Sequence, residues 1–137
     1  MFSHLYRAVS SRVNANLFSS SAASSSSPSS YQKKVMAVKD TVETAINGNT
    51  ITVFSKTWCP YCAKAKKTIA QTFPNLKTEI VELDKLDEGD EIQNYLQTLT
   101  GQRSVPNIFI NKKHVGGSDD FHAKLASGQV KTLLAVA

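Results

Sequence analysis

Ile51-Thr52-Val53-Phe54-Ser55-Lys56-Thr57-Trp58-Cys59-Pro60-Tyr61-Cys62 is the stretch whose reading decides the fold. The apolar run inside it reads as a fully buried strand over 50–55, and Pro60 suits the first position of a helix. Two thiols therefore fall at a strand-to-helix joint. Cys59 belongs at or beside the N-cap, where unpaired backbone N–H groups can point at its sulfur and favour the reactive thiolate. Lys56 adds a nearby cation. Cys62 comes one turn later and shares an apolar stripe with Ala65, Ile69 and Phe73, so it should face inward. The expectation is one exposed attacking thiol and one half-buried resolving thiol, which suits dithiol–disulfide exchange.

Other uses of the pair fit less well. These are the only two cysteines in 137 residues. A structural bridge between residues three apart would close a very short loop, and entropic stabilisation grows with loop length. A zinc site needs four ligands, and His4, His114 and His122 lack the close spacing that would complete one. A two-cysteine motif beside a βα pattern reads as a thioredoxin-like redox site.

Working outward, Val35, Val38, Val42 and Ile46 recur at helical spacing, and Asn47-Gly48 ends that helix. The helix opened by Pro60 should run to about Phe73, before Pro74. Residues 78–83 read as a strand, and Glu91 to Thr100 as a helix presenting Ile92, Tyr95, Leu96 and Leu99 on one face, closed by Gly101. Asn107 to Ile110 is a third strand. Asn111-Lys112 makes a tight turn into a short strand over 113–115, ended by Gly116-Gly117. Helices are expected over 118–127 and 129–136. Strands 50–55 and 78–83, joined by a helix, should be parallel, and the last two antiparallel.

Charge divides the chain. Residues 1–35 carry Arg7, Arg12, Lys33 and Lys34 and no acid, whereas the other twelve Lys or Arg face eleven Asp or Glu. The basic excess thus belongs to the tail and does not point to nucleic acid, nor is there an apolar stretch long enough for a membrane span. Twelve of residues 1–30 are serine, and Phe2, Leu5, Tyr6, Val9 and Val13 share one helical face. Such an acid-free, Arg-containing, Ser-rich amphipathic segment reads as an organellar transit peptide, mitochondrial first, with a chloroplast address also compatible. A disordered tail over 1–35 and a folded domain over 36–137 are expected. Met36 could start a cytosolic form or be an ordinary helix residue.

Three segments, in order, resemble the dithiol glutaredoxins: Lys56-Thr57-Trp58-Cys59-Pro60-Tyr61-Cys62, Gly101-Gln102-Arg103-Ser104-Val105-Pro106 and Gly116-Gly117-Ser118-Asp119-Asp120. The resemblance spans residue 36 to the C-terminus. It departs from the usual pattern at Trp58, where Tyr or Phe is commoner, and at Ser104, where Thr is. It implies an α/β thioredoxin-like fold, a four-stranded mixed sheet flanked by helices, in a monomeric, glutathione-dependent thiol–disulfide oxidoreductase. The substrates implied are protein–glutathione mixed disulfides and protein disulfides, with Cys59 and Cys62 as the redox pair, glutathione as reductant and no metal required.

The same resemblance implies a glutathione site. Pro106 matches the family's cis-proline, a tight turn that offers the backbone of Val105 to an extended thiol peptide. Lys56 and Gln93, with help from Arg103, match residues that hold the glycyl carboxylate. The helix starting near Ser118 offers N–H groups to the γ-glutamyl carboxylate, Asp119 and Asp120 suit its ammonium, and Tyr61 walls the groove. Some glutaredoxins instead carry an iron–sulfur cluster between two copies; Pro60 after the first thiol resembles the non-cluster members. A thioredoxin reduced by a flavin enzyme is the third reading, and the glutathione-type groove disfavours it.

Overall fold

This computed structural model of the chain describes residues 27–135. The tail face Phe2 to Val13 and the end of the final helix at Val136 lie outside the described residues. The chain divides into two units, Met1–Gln32 and Lys33–Ala137, and the sheet and both cores described below lie in the second.

Four strands, β1 (Ile51–Ser55), β2 (Thr78–Glu82), β3 (Asn107–Ile110) and β4 (Lys113–Gly116), form one sheet in the order β2-β1-β3-β4. β1 and β2 are parallel, while β1 with β3 and β3 with β4 are antiparallel, so the sheet is mixed as expected. The central strands β1 and β3 are buried at every position. Because side chains alternate along a strand, each central strand feeds two cores. Ile51, Val53, Ile108 and Ile110 face one core; Phe54 and Phe109 face the other, where their rings meet edge-on at 5.9 Å.

Helices cover both faces. α1 (Ser30–Gly48) and α3 (Gly89–Thr100) bring Val38, Val42, Ile46, Ile92 and Leu96 to the Phe54 side. α2 (Pro60–Thr72), α4 (Ser118–Ser127) and α5 (Gln129–Ala135) bring Ala65, Ile69, Phe121 and Val130 to the other. Asn111 and Lys112, both at positive φ (47° and 69°), make the tight turn between β3 and β4.

Three local readings need correction. α1 begins five residues before Val35, because Ser29 and Gln32 form a reciprocal capping box: Gln32 N–H donates to Ser29 Oγ at 3.2 Å and Ser29 N–H to Gln32 Oε1 at 2.9 Å. Val35 and Leu99, expected on buried faces, are exposed. Finally, β2 stops at Glu82 and a 3-10 turn, Leu83–Lys85, leads into α3. α3 opens at Gly89, where any Cβ would stand 2.1 Å from the Leu83 carbonyl oxygen.

The topology gathers the site at one end of the sheet. β1 runs toward Cys59, and its antiparallel partner β3 starts there, with Phe54 opposite Asn107. The end of β4 at Gly116 pairs with Ile108. Segments 56–62, 102–106 and 117–120 therefore meet, although residues 63–101 and then 107–116 separate them along the chain.

Candidate active site

Cys59 is the N-cap of α2, and Pro60 occupies its first turn, as the sequence implied. The backbone N–H of Cys62 donates to Cys59 Sγ at 3.4 Å, so an end-of-helix donor is aimed at the sulfur. The thiol also lies 3.9 Å from the Val105 carbonyl oxygen, to which it can donate. That neighbour corrects one expectation: Cys59 is not an open thiol but is only 7% exposed. Cys62 is fully buried rather than half-buried. Burial pushes its thiol up from an ordinary 9.0 to about 11, against the smaller opposing effect of a backbone hydrogen bond from Lys56. Both cysteines are free thiols.

The Val105–Pro106 peptide is cis. A groove of about 320 Å³ opens beside it, lined by Tyr61, Val105, Pro106, Asp119 and Asp120 among the expected residues. Gly117 and Ser118, at the start of α4, also line it. Asp120 accepts the Gly117 N–H at 3.4 Å, capping the helix while facing the groove. Gly116 is at φ 120°, and a Cβ there would fall 2.4 Å from Asp120 Oδ2, so this corner requires glycine.

Three candidates lie apart from that lining. Lys56 holds its ammonium 5.7 Å from the centroid of the Trp58 ring. Arg103 donates from Nε to Asn94 Oδ1 at 3.2 Å. Gln93, implied with Lys56 as a holder of the glycyl carboxylate, is 4% exposed and donates from Nε2 to the Arg103 carbonyl at 3.0 Å. It supports the proline loop from beneath, while its Oε1 is buried without a partner.

Several supports escaped the sequence reading. Gln102 lines the groove and donates from Nε2 to the carbonyls of Ser104 and Pro106, at 3.1 and 3.0 Å. Asn107 donates to the Gln102 carbonyl at 3.3 Å. These amides satisfy backbone oxygens of a loop outside helix or strand, a need buried backbone always has; the clustering of Gln102 and Asn107 around Val-Pro was the available signal. Asp84 accepts from both the backbone N–H of Thr57, at 3.0 Å, and its hydroxyl. His122 bridges α4 to α2, with Nδ1 2.7 Å from the Ser118 carbonyl and Nε2 3.0 Å from Thr68 Oγ1. Contacts of that range leave no trace in sequence spacing.

Comparison with known proteins agrees with this geometry. The family model described as Glutaredoxin matches residues 51–115. A glutaredoxin of Ricinus communis is 48% identical over 99 residues, covering 72% of this chain and 94% of that protein. The chloroplastic glutaredoxin-C4 of Oryza sativa subsp. japonica is 41% identical over 120 residues, 83% of this chain and 88% of that one. Among solved structures, a buckwheat glutaredoxin–glutathione complex superposes with a TM-score of 0.69 at 36% identity, covering 79% of this chain and 94% of that one. With Cys59 capping α2 and Cys62 in its first turn, beside a cis-proline groove, the chain belongs to the glutaredoxin family.

Proposed function

We propose that the chain is a glutathione-dependent thiol–disulfide oxidoreductase whose nucleophile is Cys59. One observation carries the reading: the sulfur that caps α2 sits against Val105 at the edge of a groove walled by Tyr61, Pro106 and the start of α4. The similarity to a buckwheat protein solved with glutathione supports it.

In the cycle, Cys59 thiolate attacks the glutathione sulfur of a protein–glutathione mixed disulfide. That S–S bond breaks, the substrate sulfur leaves and takes up a proton, and glutathione stays on Cys59. The thiolate of a second glutathione attacks it there, releasing oxidised glutathione and restoring Cys59. With a protein disulfide, Cys59 forms a mixed disulfide with the substrate and Cys62 displaces it. The resulting Cys59–Cys62 bond is then reduced by two glutathiones, which leave as oxidised glutathione. The helix-end N–H of Cys62 aimed at Cys59 favours it as the attacking sulfur, and burial keeps Cys62 protonated until it is needed.

Glutathione would lie with its cysteinyl backbone along Val105. Its γ-glutamyl carboxylate would meet the N–H groups at the start of α4, with its ammonium at Asp119 and Asp120. Lys56 would take the glycyl carboxylate, while Gln93 would act indirectly by fixing the Arg103 backbone. Residues 1–35 would serve as an organellar address, mitochondrial by composition; similarity to a relative named as chloroplastic supports the plastid as the alternative destination.

The test is turnover of a glutathionylated peptide with glutathione as the electron donor. Cys59→Ser should abolish it. Cys62→Ser should retain substantial deglutathionylation and lose reduction of protein disulfides. Equal loss from both changes in the first assay would rule out the Cys59-only route, and turnover supported by a thioredoxin reductase in place of glutathione would overturn the assignment of reductant.

A further inference from the structure

We propose that Trp58 is a positioning residue for glutathione: its indole ring is the platform that holds the Lys56 ammonium ready for a carboxylate. The inference rests on the placement of Lys56 at the glycyl carboxylate given above.

The backbone sets this up. Cys59 N–H donates to the Lys56 carbonyl at 3.2 Å, closing the four residues 56–59 into a turn. Thr57, between the two side chains concerned, is fixed through both its N–H and its hydroxyl to Asp84. Lys56 Nζ then stands 5.7 Å from the Trp58 centroid, within the roughly 6 Å over which a ring face attracts a cation.

Trp58 has no core function to explain its presence, since it is 69% exposed in the turn that leads into the nucleophile. An ammonium has three donors. A ring occupies one side of it and leaves N–H groups directed elsewhere for an incoming carboxylate. The ring therefore does not compete with the ligand; it removes rotamer freedom that a flexible lysine would otherwise lose on binding. Tryptophan is the best of the aromatic residues for this role, and phenylalanine or tyrosine should do it less well but in the same way.

The experiment is a double-mutant cycle in the full chain, with a glutathione mixed disulfide of a small thiol as the probe. An exposed cation–π contact corresponds to about two- to fivefold in an equilibrium. Trp58→Leu should thus raise KM for the probe by about that factor, with a smaller change in kcat. Trp58→Phe should restore KM to within about twofold of the parent, because the ring face is kept. In a Lys56→Met background, Trp58→Leu should have no further effect, since the cation it serves is gone.

Fluorescence supplies a second readout, because Trp58 is the only tryptophan in the chain. Its emission should differ between the parent and Lys56→Met and be recovered in Lys56→Arg. If Trp58→Leu raises KM equally with and without Lys56, or if Trp58→Phe is as damaged as Trp58→Leu, the platform is overturned. An unchanged KM in Lys56→Met alone would overturn the placement of Lys56 and the platform with it. Glutathione-dependent turnover by the parent chain is scored separately and decides the broader reading.

Discussion

Cys62 has a thiol pushed from 9.0 to about 11, chiefly because it is buried, and this has a consequence for stability. Between those two values the folded protein keeps a proton that the unfolded chain has lost. Stability from this group is therefore complete below the unfolded value and falls as pH rises from about 9 toward 11. The expected outcome is a thermal midpoint that drops more steeply over that interval in the parent than in Cys62→Ser. Parallel curves would mean that the thiol is not held protonated by its surroundings. The identity and order of the two cysteines, and their place on strand and helix, were legible in the sequence, since Pro60 and the stripe Cys62, Ala65 and Ile69 are local signals. The burial of Cys59 was not: the carbonyl beside it belongs to Val105, 46 residues away. Gln93 shows the same limit. Helical periodicity puts it next to Ile92 on a polar-looking face, yet the Arg103 carbonyl, from another segment, draws it inside.

The segment between β1 and α2 is the element on which the nucleophile depends, and a contact from the far side of β2 holds it. Asp84 lies in the 3-10 turn that follows β2, whose last residue Glu82 pairs with Ser55 at the end of β1. The Thr57 hydroxyl is the main reason that the Asp84 carboxyl is held below its usual 3.8, with the Thr57 N–H assisting. A depressed carboxylate stabilises above its unfolded value and loses that contribution only as pH falls through the lower folded one. The clamp should thus be constant through neutral and mildly acidic pH. Asp84→Ala should lower kcat/KM for glutathionylated substrate by about two- to fivefold, as befits a solvent-exposed charged contact, without moving the pH profile above 5. Activity indistinguishable from the parent would show that Thr57 needs no clamp. Elements of this kind divide by legibility. The type of every helix and strand followed from periodicity and from turn residues such as Asn111-Lys112. The 3-10 turn and the early start of α3 did not, because they answer to the packing of Gly89 against the Leu83 carbonyl. The Ser29-to-Gln32 box is an intermediate case, a readable four-residue signal masked by the serine-rich run around it.

At the scale of the whole molecule, the basic segment 1–35 and the rest of the chain should have separable tasks. Every buried core residue among those described lies at Val38 or beyond. Starting the chain at Met36 removes the capping box of α1 and the Lys34–Glu91 ion pair, which is 2.6 Å long with both side chains well exposed. An exposed pair contributes little, and loss of a cap costs about 1 kcal/mol, which corresponds to a fall of less than about 8 °C in the thermal midpoint of a domain this size. A chain beginning at Met36 should therefore fold, keep its glutathione-linked activity and melt slightly lower. A reporter fused to residues 1–35 should meanwhile enter an organelle, with mitochondria expected first and plastids as the other arm of the same imaging experiment. If Met36 also serves as a start, Met36→Leu should empty a cytosolic pool and leave the organellar one. A shortened chain that aggregates would show that the basic tail contributes to folding, and a reporter that stays in the cytosol would show that its composition carries no address.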